Sequence, residues 1–165
     1  MASAVIAVVG LSNSGKTRVA TNLIRILTAR GYRVAAVKHS PHGHQPDRPG
    51  TDSALLFGAG AAKVIVSSPE RMTTFQRTSG DATLDEIVGS IDSGYDLVVV
   101  EGFKGSSVPK VLVQGAEQIS PAPVNVIAVV GENGREGEGV PCYSFQELDG
   151  LARQIQGQVL EGSLT

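Results

Sequence analysis

The chain has 165 residues, of which 41% are hydrophobic and 18% charged, and a formal net charge of −2 at pH 7. These values suit a single soluble domain with a proper core and give no general attraction to nucleic acid or to an anionic membrane. One cysteine, Cys142, excludes an internal disulfide framework; no apolar run has the length of a membrane helix and the apolar start lacks a basic flank, so a cytoplasmic protein is expected.

In chain order, Ala4 to Val9 is a continuous apolar run of the kind a buried parallel strand shows. It leads into Gly10-Leu11-Ser12-Asn13-Ser14-Gly15-Lys16-Thr17, a complete G-x-x-x-x-G-K-[ST] phosphate-binding loop. Lys16 to Ala29 then carries Val19, Leu23, Ile26 and Leu27 at helical spacing, and Gly31 reads as the stop. Arg33 to Val37 is a short strand. Ser40 to Asp52 is a polar loop rich in Pro, Gly and His. Asp52 or Ser53 is in place to cap a short helix that ends in Gly58-Ala59-Gly60-Ala61. Lys63 to Ser67 and Arg71 to Gln76 read as a hairpin around Ser68-Pro69-Glu70.

Thr83-Leu84-Asp85-Glu86 is a capping box that opens a helix through Ile87, Val88 and Ile91. Leu97 to Val100 is a buried strand, Pro109 to Val113 a short one, and Val124 to Val130 another buried one, followed by the Gly/Glu-rich loop Gly131 to Gly139. Ser144-Phe145-Gln146-Glu147 is a second capping box. It starts a terminal helix with Leu148, Leu151, Ile155 and Val159 on one face. The alternation predicts an α/β fold: one three-layer, P-loop NTPase-like nucleotide-binding domain over residues 1–165, with a mostly parallel central sheet and a β-hairpin extension.

The loop motif has a definite chemistry. Its small residues let successive backbone N–H groups turn toward phosphate oxygens, and the helix N-terminus adds its dipole. Lys16 reaches the β- and γ-phosphates, and the Thr17 hydroxyl is a ligand for Mg²⁺. In open α/β sheets ligands sit beyond the carboxyl ends of the strands, so Glu101 is assigned to Mg²⁺, directly or through water, and Asp96 to the far end of the same strand. His39, His42 and His44 fall within six residues. They read either as a transition-metal site or as solvated loop histidines, no cysteine or second acidic cluster accompanying them. No Asn-Lys-x-Asp guanine-reading motif is present, and Gly131-Glu132-Asn133-Gly134 is a base-reading candidate by placement alone. No glutamine or arginine is marked for catalysis, so no catalytic residue is assigned and at most slow hydrolysis is expected.

Four blocks stand in order: Gly10–Thr17; Val37-Lys38-His39; Gly50-Thr51-Asp52-Ser53 followed by Ala59-Gly60-Ala61; and Val98-Val99-Val100-Glu101-Gly102-Phe103-Lys104 followed by Pro109-Lys110. Together they resemble the molybdopterin-guanine dinucleotide biosynthesis protein B (MobB) family over nearly the whole chain. The resemblance implies a GTP-binding adapter with weak Mg²⁺-dependent GTPase activity, homodimeric, that assists a molybdopterin guanylyltransferase. Whether molybdopterin itself contacts the chain is left open. It also implies that Lys38, Asp52 and Lys104 join Gly10, Ser12, Asn13, Ser14, Gly15, Lys16, Thr17 and Arg18 around the nucleotide. Lys104 and Lys110 would flank an anionic ligand or partner surface. Asp52 serves equally as a helix cap. Two positions depart from the family pattern: Thr51 where a Lys is usual before the Asp, and Arg18 where a second Thr is common. A dethiobiotin-synthetase-like ATP-dependent ligase and a GTP-dependent metallochaperone are the alternative readings.

Overall fold

The two most apolar runs form the centre of a sheet. β1 (Ala4–Gly10) and β5 (Leu97–Glu101) pair in parallel from Ala4↔Leu97 to Val8↔Glu101. Their alternate side chains enter two different cores. Ile6, Val8, Leu97 and Val99 face one layer, and Ala7, Val9, Val98 and Val100 the other. This is why both runs are continuously apolar rather than alternating. The computed structural model describes residues 3–40, 43, 47–115, 119–131 and 139–162. Its contacts fall into two units, Met1–His39 with Leu84–Thr165, and Ser40–Thr83.

The first unit adds β2 (Val34–Lys38), β6 (Lys110–Val113), β7 (Val126–Val130) and β8 (Cys142–Tyr143), giving a six-stranded sheet in the order β2-β5-β1-β6-β7-β8. Every pairing in it is parallel. α1 (Lys16–Ala29) covers one face together with α4 (Leu148–Ile155) and the π-helical segment Gln156–Glu161 that continues it. Val19, Leu23 and Leu27 meet Leu148, Leu151, Ile155 and Val159 there, and each such buried side chain is worth roughly 1.5–3 kcal/mol of transfer free energy. The other face is covered by α3 (Leu84–Gly89) and by Phe103 and Val108 of the β5–β6 connection. The result is the expected three-layer α/β fold. No helix among the described residues is long and apolar enough to cross a membrane.

In the second unit, α2 (Asp52–Gly58) precedes the antiparallel pair of β3 (Lys63–Ser67) and β4 (Met72–Gln76), the expected hairpin. Arg77 lies 4.3 Å over the Phe57 ring and donates to the Ala61 carbonyl at 3.2 Å, holding helix to hairpin. Leu55, Leu56, Ile65 and Met72 are exposed on this unit.

Four local expectations are corrected. The cap of α2 is Thr51, not Asp52 or Ser53: Thr51 has extended backbone and its Oγ1 accepts from the Ala54 amide at 3.3 Å. Asp47 selects it, accepting hydrogen bonds from the Thr51 and Ser53 hydroxyls at 2.8 and 2.5 Å. β7 starts at Val126 rather than Val124, because Asn125 takes φ 56° and donates its side-chain amide to the Ser107 carbonyl. α4 starts at Leu148. Glu147 does bond the Ser144 amide at 2.8 Å, as a capping box requires, but residues 144–147 form a turn ahead of the helix. Finally, the two-residue β8 was not expected at all.

Candidate functional site

The carboxyl ends of β1 and β5 lie side by side, which brings the phosphate loop next to Glu101. The loop turns through Asn13 (φ 59°) and Gly15 (φ 97°), with the Ser14 amide bonded to the Leu11 carbonyl at 3.3 Å. Gly10 is held to the absence of a side chain: a Cβ there would lie 2.5 Å from Ser14 Oγ and 2.6 Å from the Val113 carbonyl oxygen. α1 begins immediately after Gly15 with no side-chain cap and no acidic residue in its first turn. Its first N–H groups and dipole are therefore available to an anion. The Ser14 hydroxyl is buried without a hydrogen-bond partner among the described residues, aimed into the same loop. Both features fit a phosphate group.

Glu101 organises the other half. It is 8% exposed at the end of β5. Thr17 Oγ1 donates to one carboxylate oxygen at 2.8 Å, and Lys38 Nζ, from the end of β2, donates to the other. Lys16 Nζ donates to the Leu11 carbonyl at 2.5 Å, at the root of the loop. Burial pushes the Glu101 carboxyl up, but the hydrogen bonds from Lys38 and Thr17 and the charges of Lys38 and Lys16 outweigh it, holding the group below its ordinary value. A hydroxyl beside an ionised carboxylate is the kind of all-oxygen donor pair that a hard cation such as Mg²⁺ takes, water completing its shell.

This pKa shift carries a testable consequence. A carboxyl titrating lower when folded contributes stability that is complete above its ordinary value of about 4.5 and is lost as the pH falls through the folded value. In urea titrations Glu101→Gln is therefore expected to be less stable by about 1–2 kcal/mol at neutral pH. The two proteins should converge in the acid range; a gap independent of pH would show that the charge contributes nothing.

Behind Glu101 the backbone bends sharply. Gly102 (φ 115°) and Phe103 (φ 52°) are both left-handed, and the Gly102 amide bonds the Val8 carbonyl at 3.1 Å. A Cβ on Gly102 would lie 2.8 Å from the Cβ of His39. The His39 amide bonds the Glu101 carbonyl at 3.0 Å, and its ring stacks on Phe103 at 4.2 Å between centroids. The strained turn is thus braced from β2, which fixes the direction of the carboxylate.

Ser12, Asn13 and Lys104 are exposed, Lys104 in the connection from β5 to β6. Asp52 is exposed at the first turn of α2, in the second unit, where its charge suits the helix N-terminus. Lys110 is not at a ligand or partner surface. Its side chain is fully buried, and its ammonium donates to the carbonyls of Ser106, Val108 (3.0 Å) and Val124 (3.0 Å). Burial pushes that ammonium down from its ordinary value. His42, His44 and the Glu132-Asn133-Gly134 segment lie outside the described residues. Among the described residues no three His, Cys, Asp or Glu side chains form a metal centre.

One neighbour of the loop was not expected. Phe145, from the turn after β8, packs against Gly15: a Cβ there would be 3.0 Å from two ring carbons. The Arg18 guanidinium lies over the same ring, 4.8 Å from its centroid. Nothing in the sequence marks this contact, because Phe145 sits in a capping-box pattern far along the chain.

Residues 5–132 match the family model for molybdopterin guanine dinucleotide synthesis protein B. The chain belongs to this family. It is similar to the molybdopterin-guanine dinucleotide biosynthesis adapter protein of Haemophilus influenzae, 39% identical over 117 residues that cover 70% of this chain and 66% of that protein. It is also 39% identical to the adapter protein of Escherichia coli over 104 residues, 61% of this chain and 59% of that one. The chain thus spans just under two thirds of the first relative's length and about three fifths of the second's. A crystal structure of molybdopterin-guanine biosynthesis protein B superposes with a TM-score of 0.76 at 29% identity, over 94% of this chain and 99% of that one. The family segment contains the phosphate loop, Lys38 and Glu101, and ends before Phe145.

Proposed function

We propose that the chain is a cytoplasmic GTP-binding adapter in molybdopterin guanine dinucleotide formation, a slow Mg²⁺-dependent GTPase at most, acting as a homodimer on a molybdopterin guanylyltransferase. The observation that carries this reading is a phosphate loop whose Thr17 bonds Glu101, itself held by Lys38, in a chain of this family. The loop amides and Lys16 hold the phosphates. Thr17 and Glu101 hold the cation, which when bound neutralises charge on the β- and γ-phosphates. Lys38 keeps the carboxylate ionised and aimed. Arg18, the arginine nearest the loop in sequence, lies over Phe145, in keeping with slow hydrolysis. The exposed Leu55, Leu56, Ile65 and Met72 support a homodimer, as apolar surface that a second copy covers.

Calorimetry with Mg²⁺ is expected to show GTP bound more tightly than ATP, and the purified guanylyltransferase should be retained by the immobilised chain to an extent that depends on GTP. Tighter binding of ATP overturns the guanine assignment. Failure to retain the transferase with or without GTP overturns the adapter role. Light scattering that finds a monomer at micromolar concentration overturns the dimer.

A further inference from the structure

We propose that Arg18 and Phe145 form the base-side wall of the nucleotide site, with the Arg18 guanidinium sandwiched between the Phe145 ring and the purine. This rests on the nucleotide reading above and adds to it where the base lies and what holds it. The sheet order supplies the direction. Glu101 and Lys38 stand on the β5–β2 side of β1 and mark where the cation and the terminal phosphates sit. The phosphate chain must then run from that side across the loop, so its α end and the base emerge on the opposite side, toward β6, β7 and β8. There the turn between β8 and α4 delivers Phe145 against Gly15, the last loop residue before α1.

Phe145 is partly buried and anchored by the core cluster that includes α1 and α4. Arg18 is exposed, one residue beyond Thr17, and its guanidinium lies 4.8 Å from the Phe145 ring centroid. A guanidinium that lies over an aromatic ring has another side turned away from it, and guanidinium planes stack on purines. The Phe145 ring is a positioning group: it fixes the plane of Arg18 and touches the loop, not the base. The pair recognises any purine, so the choice between guanine and adenine lies with other groups. It also gives a role to Arg18, the residue by which the loop departs from the usual family pattern.

The test separates base binding from phosphate binding. Titrations of wild type, Arg18→Ala and Phe145→Leu are run in Mg²⁺ with GTP and with inorganic tripolyphosphate, which has no base. Both variants are expected to bind GTP about tenfold more weakly, the size of one lost base stack, while tripolyphosphate affinity stays at the wild-type level. Unchanged GTP affinity in Arg18→Ala overturns the inference, as does an equal loss for GTP and tripolyphosphate. If Phe145→Leu fails to fold, Arg18→Ala, altered at an exposed position, decides alone. Wild type that binds neither compound overturns the nucleotide reading and this inference with it. Wild type that binds both equally well overturns only the inference.

Discussion

Lys16→Ala is expected to abolish useful GTP affinity, weakening it roughly thirtyfold or more, with little change in melting temperature. The lysine is the one cationic side chain of the loop motif, at the helix end where N–H groups already converge. Truncating one partner of a charge pair in a confined site costs about 2–5 kcal/mol, which is a factor of ~30 or greater. The fold does not depend on it to the same degree. In the structure its ammonium bonds the Leu11 carbonyl and its charge adds to the group that keeps Glu101 ionised, and a neutral loop loses these two contributions. Calorimetry and thermal melts on the same preparation check both halves. Retained GTP affinity would mean that the loop is not the nucleotide site, however well its sequence matches.

Lys110→Met should have the opposite profile: a stability loss of about 3 kcal/mol, read as a lower urea midpoint at unchanged slope. Two effects compete. Methionine relieves the cost of burying an ammonium, which is real, since burial pushes the group's pKa down. Against this, three charge-assisted hydrogen bonds vanish, each worth about 1.5–3 kcal/mol, and the carbonyls of Ser106, Val108 and Val124 lose a partner. The second effect is the larger. The ammonium ties the β5–β6 connection, which carries Phe103 and Val108 onto the sheet, to the segment before β7. A variant as stable as the parent would show that these carbonyls find other partners.

The difference between Lys16 and Lys110 illustrates what a sequence of this kind reveals. A motif is legible when its chemistry is local: the loop, its strand and its helix adjoin one another, and α1 spans the predicted residues. The continuous apolar runs at β1 and β5 were equally plain, because burial on both faces leaves no polar position. Lys110 was misplaced because lysine is ordinarily a surface residue, and only the three carbonyls that fold around it reverse that expectation. β8 is two residues long, too short for any periodicity. Thr51 displaced its neighbours as the cap through Asp47, a long-loop contact with no pattern of its own. The meeting of Thr17, Lys38 and Glu101 was half readable: each ends or follows a predicted element, but their adjacency depends on β5 lying between β1 and β2. Phe145 could be found only in three dimensions.

That insertion of β5 also dictates when the site can exist during synthesis. β1 pairs with β5 and β6, and β2 pairs with β5 alone. Until Leu97–Glu101 has left the ribosome, neither β1 nor β2 has its neighbour in the sheet. The hairpin of β3 and β4 is the sole strand pair available to the growing chain among the described residues of that stretch. Sheets assembled from such distant segments close slowly and leave apolar edges open meanwhile. The nascent chain thus passes through an interval in which β1 and β2 must be kept from pairing with anything other than β5.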